Sequence, residues 1–207
     1  MNFEITSFDN GSRIPGEYAF CVPADVGHVA LAPNKNPHMK WSDVPDRTKS
    51  FALICVDTKV PSMGDDVNQE GKTVPKDLPR VDFYHLVLCD IPTSYNEFKV
   101  GELSDGVTAR GKHPGQEAWG VQGINDYTGW FSGDPDMEGF YGGYDGPCPP
   151  WNDSLVHEYY FSVYALDTHS LELDGVFTGA EALHAMEHHI LDKAQWRGTF
   201  TLNKRLL

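Results

Sequence analysis

The strongest constraint on this chain is a set of three apolar runs. They are Phe51-Ala-Leu-Ile-Cys-Val-Asp57, Phe83-Tyr-His-Leu-Val-Leu-Cys-Asp-Ile91 and Tyr159-Tyr-Phe-Ser-Val-Tyr-Ala-Leu166. A strand with one wet face alternates apolar and polar residues; these scarcely alternate, so both faces of each must be covered. The three are therefore expected as neighbours inside a sheet, none of them at an exposed edge.

The remaining segments supply less regular pieces. Residues 2–8, 17–22 and 28–31 read as short strands, with a turn at Asp9-Asn-Gly-Ser12. Between Pro61 and Pro79 the chain is charged and polar, as expected of a surface excursion. After Pro92 come about sixty residues with little periodicity, long for an irregular connection. Trp119, Trp130, Phe131, Phe140 and Tyr141 punctuate them. Aromatic rings in that number need burial, so the segment is expected to fold back or form an interface. One helix is expected, Thr178–Lys193, opened by a Thr178/Glu181 capping box, with Leu183, Met186, Ile190 and Ala194 facing the core. A closing strand follows at 196–202. Many strands with one late helix indicate a mainly β fold, a β-sandwich in a single domain, 1–207.

Charge and cysteine usage narrow the function. Lys+Arg 16 against Asp+Glu 30 gives a net charge of −14, which repels phosphate backbones and anionic leaflets and argues against nucleic-acid binding. No apolar stretch approaches the roughly 20 residues that span a bilayer. The start, Met1-Asn-Phe-Glu-Ile-Thr-Ser-Phe-Asp, lacks the basic and apolar regions of a secretory signal. Cys21, Cys55, Cys89 and Cys148 contain no C-x-x-C pair, and Cys55 and Cys89 lie in apolar runs as small hydrophobes. A reducing cytoplasm is the expected compartment.

Candidate chemistry concentrates in few places. Gly142-Gly-Tyr-Asp-Gly-Pro-Cys-Pro-Pro-Trp-Asn-Asp-Ser-Leu-Val-His157 is a stiff loop that delivers a histidine to the mouth of the third run. Asp57, His85 and His157 have the residue types of a metal site or an acid–base set, but they come from separate strands, and spacing alone does not bring them together. His184-Ala-Met-Glu187-His188 spells the inverted zinc-peptidase pattern. It lacks the downstream carboxylate ligand that pattern needs, and an ordinary amphipathic helix explains it. There is no Gly-x-Ser-x-Gly elbow, P-loop or dinucleotide fingerprint, so no serine hydrolase, nucleotide cofactor or metal is indicated.

Read in order, Asp57-x-x-x-Pro61, His85 entering a strand that ends Asp90-Ile-Pro92, Gly146-Pro-Cys-Pro-Pro150 leading to His157-x-Tyr159, and Ala165-Leu-Asp167 resemble the phosphatidylethanolamine-binding protein family, especially its bacterial Raf-kinase-inhibitor-like branch. The resemblance implies a Greek-key-type β-sandwich and a small anion pocket. Its residues would be Asp57, Pro61, His85, His157 and Tyr159, with Gly146 and Pro147 as a roof. The ligand would be phosphate or a phospholipid head group, since imidazoles and loop amides donate well to phosphate oxygens. A regulatory role towards a kinase or protease partner is implied as well. The alternative is a hydrolase of a phosphorylated small molecule, with His157 or His85 as acid or base and Asp57 as orienter. A homodimer through residues 113–144 is also expected, from the aromatic content and from the dimers common among bacterial relatives. Two departures bear on the pocket rim: Asp57-Thr-Lys-Val-Pro61 lacks a proline and a carboxylate usual in the first motif, and Glu158 stands where arginine is common.

Overall fold

The three apolar runs become the three long inner strands of one sheet. The computed structural model describes residues 1–207. In chain order the strands are β1 (Asn2–Ile5), β2 (Cys21–Pro23), β3 (Val29–Leu31), β4 (Met39–Ser42), β5 (Ser50–Pro61), β6 (Arg80–Pro92), β7 (Glu97–Phe98), β8 (Gly115–Glu117), β9 (Gly120–Gln122), β10 (His157–Leu166) and β11 (Ile190–Phe200). Two α-helices, α1 (Tyr127–Trp130) and α2 (Gly179–Met186), accompany them. The main sheet has six strands in the order β11-β10-β5-β6-β9-β8, and a second has three, β1-β4-β7. β2 and β3 form a separate hairpin. Every pairing between these strands is antiparallel.

The lack of alternation in the runs has a direct cause: β5, β6 and β10 carry an apolar layer on each side. Phe51, Leu53 and Cys55 of β5 join Leu86 and Leu88 of β6 and Phe161 and Val163 of β10 in a large core beneath the three-stranded sheet, where Phe3, Ile5, Met39, Trp41 and Phe98 meet them. The intervening residues Ala52, Ile54, Val87, Cys89 and Tyr164 face the other way and pack with Ala182 and Met186 of α2. Burying one large aliphatic or aromatic side chain is worth about 1.5–3 kcal/mol, so each strand draws stability from both faces.

Two expectations meet the structure differently. The helix begins where expected, with the Thr178/Glu181 capping box formed, but it ends at Met186 instead of Lys193. Ile190 and Ala194 keep helical spacing yet belong to β11, paired with Leu166 and Val163 of β10. The hydrogen bonds offered by the open side of β10 override a local helical pattern. The second concerns the cysteines. Cys55 and Cys89 are free and buried, but Cys21 and Cys148 form a disulfide across 127 residues. Such a bond is rare in a reducing cytosol, the compartment expected from the sequence.

The long excursion after Pro92 folds back as expected of its aromatic content. Tyr141 and Tyr144 are fully buried, and Trp119 and Phe131 pack on the main core. Trp130 and Phe140 remain exposed.

Candidate functional site

The site lies at one end of β5, β6 and β10, on a single face of the sheet. Tyr159 and Phe83 stand opposite Asp57 on either side of β5. Side chains alternate along a strand, so His157, two residues before Tyr159, and His85, two after Phe83, project to that same face. Register, with an irregularity in β6 at His85, gathers Asp57, His85, His157 and Tyr159 from three distant stretches of chain.

His157 is wholly buried, and both its nitrogens are taken. Nδ1 lies 2.7 Å from Asp57 Oδ2 and Nε2 3.0 Å from Asp153 Oδ2. Carboxylate oxygens only accept, so both nitrogens carry protons and the ring is an imidazolium. Burial by itself would lower the His157 pKa, but the Asp57 and Asp153 carboxylates outweigh it and hold the value at about 9. The pairing continues outward: Arg80 donates to Asp153 from Nη1 at 2.6 Å and from Nη2 at 3.1 Å. Burial would raise the Asp153 carboxyl, but the hydrogen bonds from His157 and Arg80 leave it below the usual range. The other Asp57 oxygen accepts from the Lys59 amide at 2.8 Å. Asp57, His157, Asp153 and Arg80 thus form an alternating row of charges that sums to zero, with Arg80 Nε left buried and without a partner.

His85 is the contrast. Its Nδ1 donates to the Asp145 carbonyl at 2.7 Å, and its Nε2 has no partner in the chain. Burial lowers its pKa, and the opposing pull of Asp57 does not restore it. The neutral ring, with its proton on Nδ1, turns a free lone pair from Nε2 into a cavity of about 550 Å³ lined by His85, Asp57 and Tyr159 and, for the rest, largely by apolar groups such as Phe20, Phe83, Tyr127 and Phe131. Tyr159 is the second unsatisfied group. Its hydroxyl is buried beside Asp57 without a hydrogen bond of acceptable geometry. Burial, and after it the Asp57 charge, pushes its pKa well up, so it stays a protonated donor.

The seven residues expected at the pocket divide. Asp57, Pro61, His85 and Tyr159 line the cavity. His157 stands behind Asp57, out of the cavity. Gly146 and Pro147 support the wall instead of roofing it. A Cβ on Gly146 would fall 2.1 Å from the Tyr18 carbonyl oxygen, so the close approach that glycine allows is to backbone. The Pro147 carbonyl accepts from the Phe20 and Cys21 amides and so holds two residues that line the cavity.

Sequence reasoning missed the polar hub beneath this wall. Asp145 is completely buried and accepts from Asn34 Nδ2 at 2.8 Å, Asn125 Nδ2 at 2.8 Å and Lys112 Nζ at 2.9 Å. Asn34 Oδ1 in turn accepts the Gly146 amide at 2.8 Å. The signal was a carboxylate inside a Gly/Pro-rich loop, a place where an unpaired charge would be costly. Asp153, four residues before His157, and Arg80, which bonds Asp153, were missed too.

A mainly β protein with a preformed, largely apolar cavity and two unsatisfied polar groups at its polar end has the anatomy of a small-ligand binder. Comparison with known proteins places it more closely. Residues 4–201 match the family described as phosphatidylethanolamine-binding protein. A UPF0098 protein of Methanothermobacter thermautotrophicus is 32% identical over 200 residues, covering 97% of this chain and 98% of its own. Another from Aquifex aeolicus is 33% identical over 172 residues, covering 81% of this chain and 68% of its own. The chain belongs to the phosphatidylethanolamine-binding protein family. Two solved structures share the fold: a putative phosphatidylethanolamine-binding protein homologue from Chlamydia trachomatis, with TM-score 0.63, 24% identity and 96% and 95% coverage, and E. coli YbcL, described as a member of the mammalian family, with TM-score 0.64, 21% identity and 97% coverage of each chain.

Proposed function

We propose that this chain is a ligand-binding regulatory protein whose cavity takes the phosphate of a small phosphorylated molecule or phospholipid head group. One observation carries the reading. His85 Nε2 and Tyr159 Oη are polar atoms of cavity-lining residues without partners in the chain, and an oxyanion satisfies both. Tyr159 donates directly, and His85 donates once it accepts the proton that accompanies the anion. The neighbouring carboxylate is no obstacle, because His157 already balances Asp57. The apolar wall suits the non-polar remainder of a ligand, and the Asp57 side suits an ammonium group, which makes phosphoethanolamine the natural probe. The family's description, with its phosphatidylethanolamine ligand, supports the same chemistry.

Of the two acid–base candidates a hydrolase would have, His157 has no free nitrogen with which to move a proton to or from a substrate, which leaves His85 alone to do so. A kinase or protease as the regulated partner rests on the family resemblance. A homodimer through residues 113–144 would use Trp130 and Phe140, the two excursion rings left exposed; a light-scattering mass at micromolar concentration tests it. The ligand reading is tested by calorimetric titration of phosphoethanolamine into wild type and His85→Ala. A single saturable site weakened in the variant, with no release of inorganic phosphate, is the expected result. Equal affinities sink the reading, and turnover returns the hydrolase.

A further inference from the structure

The mouth of the cavity has a chemistry of its own. Trp130 and Leu31 line the cavity, yet they are 55% and 65% exposed. Contiguous apolar surface of this kind, open to solvent and edged by charge, marks an interaction surface. Two acidic stretches edge it. Residues 62–70 give Gly64, Val67 and Asn68 to the wall and carry Asp65 and Asp66; residues 131–138 give Phe131 and Met137 and carry Asp136 and Glu138. Asp65, Asp136 and Glu138 are exposed and have no ion-pair partner. The cations adjoining these stretches are engaged: Lys72 pairs with Asp66 at 3.5 Å, and Arg110 donates to the Pro135 carbonyl at 2.8 Å.

We propose that this mouth docks a basic polypeptide segment of a partner protein. One apolar side chain of the segment rests on Trp130 and Leu31, and flanking lysines or arginines face Asp65, Asp136 and Glu138. Charge complementarity selects this occupant. A second copy of the chain, itself at −14, would bring acid against acid, and an anionic membrane would be repelled in the same way. An exposed tryptophan beside a pocket is also the kind of residue that dominates protein interfaces.

The test is selection of random phage-displayed peptides on the wild-type chain, followed by fluorescence anisotropy with a synthetic member of the enriched set. Lysine and arginine flanking one Leu, Phe or Trp are expected. Affinity should fall more than about tenfold with Trp130→Ala and about tenfold with the combined Asp65→Asn, Asp136→Asn and Glu138→Gln variant, and it should weaken with added salt. No enriched peptide, an acidic consensus, or an affinity indifferent to both variants overturns the proposal. A dimer mass that Trp130→Ala converts to monomer overturns it in favour of a second copy. The triple charge variant leaves His85 and Tyr159 untouched, so phosphoethanolamine titrated into it reports separately on the ligand reading.

Discussion

His85 and His157 project from the same face of one sheet, on strands separated only by β5, and they arrive at opposite states. His157 is clamped between two carboxylates and held as a cation, with a pKa of about 9. His85 has a carbonyl on one nitrogen and open cavity on the other, and burial keeps it neutral. Residue type and burial are the same. What differs is the set of partners: two carboxylates for His157, against one neutral carbonyl and an open second nitrogen for His85. A buried imidazole with both nitrogens paired serves the architecture, and one with a spare nitrogen is free to meet a ligand.

Removing the saturated member should have the largest effect. His157→Ala strands Asp57 and Asp153 without their cation, and breaking a buried pair in this way costs roughly 3–5 kcal/mol. Urea denaturation measures it, and a loss below about 1 kcal/mol would show that the row of charges holds little together. Its pH signature follows from the raised pKa. In the unfolded chain His157 titrates near 6.5, so its contribution is complete below about pH 6.5 and is lost as pH rises through about 9. The interval, 9 − 6.5 = 2.5 units, corresponds to on the order of 3 kcal/mol. Asp153, shifted downward, contributes above its ordinary value and loses that contribution as pH falls. Denaturation curves at about pH 6 and pH 10 should show the alkaline decline in wild type and a much flatter response in His157→Gln.

The open member gives smaller effects on binding. Because His85 is neutral when free and charged against an anion, binding should take up a proton. Phosphoethanolamine affinity should therefore rise as pH falls towards about 6, by up to roughly tenfold per unit. Calorimetry in buffers of different ionisation enthalpy counts the proton, and zero uptake contradicts the contrast between the two histidines. Smallest is Tyr159→Phe. Deleting a hydroxyl that has no partner should leave stability unchanged or slightly higher, while phosphoethanolamine binding weakens by about 0.5–1.5 kcal/mol. Opposite signs on stability and binding are the diagnostic; a clear loss of stability would mean that the hydroxyl is already satisfied.

Much of this was legible in the sequence, and what was hidden shares one physical cause. The inner strands announced themselves because two-sided burial imposes unbroken apolar runs. Asp57, His85 and Tyr159 were singled out through motif resemblance, and in the structure period-two geometry sets them on one face. Asp153 sits four residues before His157, but in a loop, where that spacing has no fixed geometry to make it a sign of contact. Arg80 was not found, because an ion pair between residues 73 apart leaves no local mark. The Cys21–Cys148 bond and the Asp145 hub escaped for the same reason. The helix ran too far on paper because Ile190 and Ala194 fit its spacing, and only the neighbouring strand decides against it.

β10 carries a further consequence, for how the molecule is made. Tyr159 stands at the heart of the sheet and of the cavity, yet it comes late in the chain, after more than 150 residues. During synthesis β5 and β6 emerge first and pair with each other, but β5 keeps its other edge vacant until β10 arrives. A nascent chain stalled before residue 157 therefore presents an unpaired hydrophobic strand and a cavity without Tyr159. Translation through β10 closes the edge and completes the site in a single step.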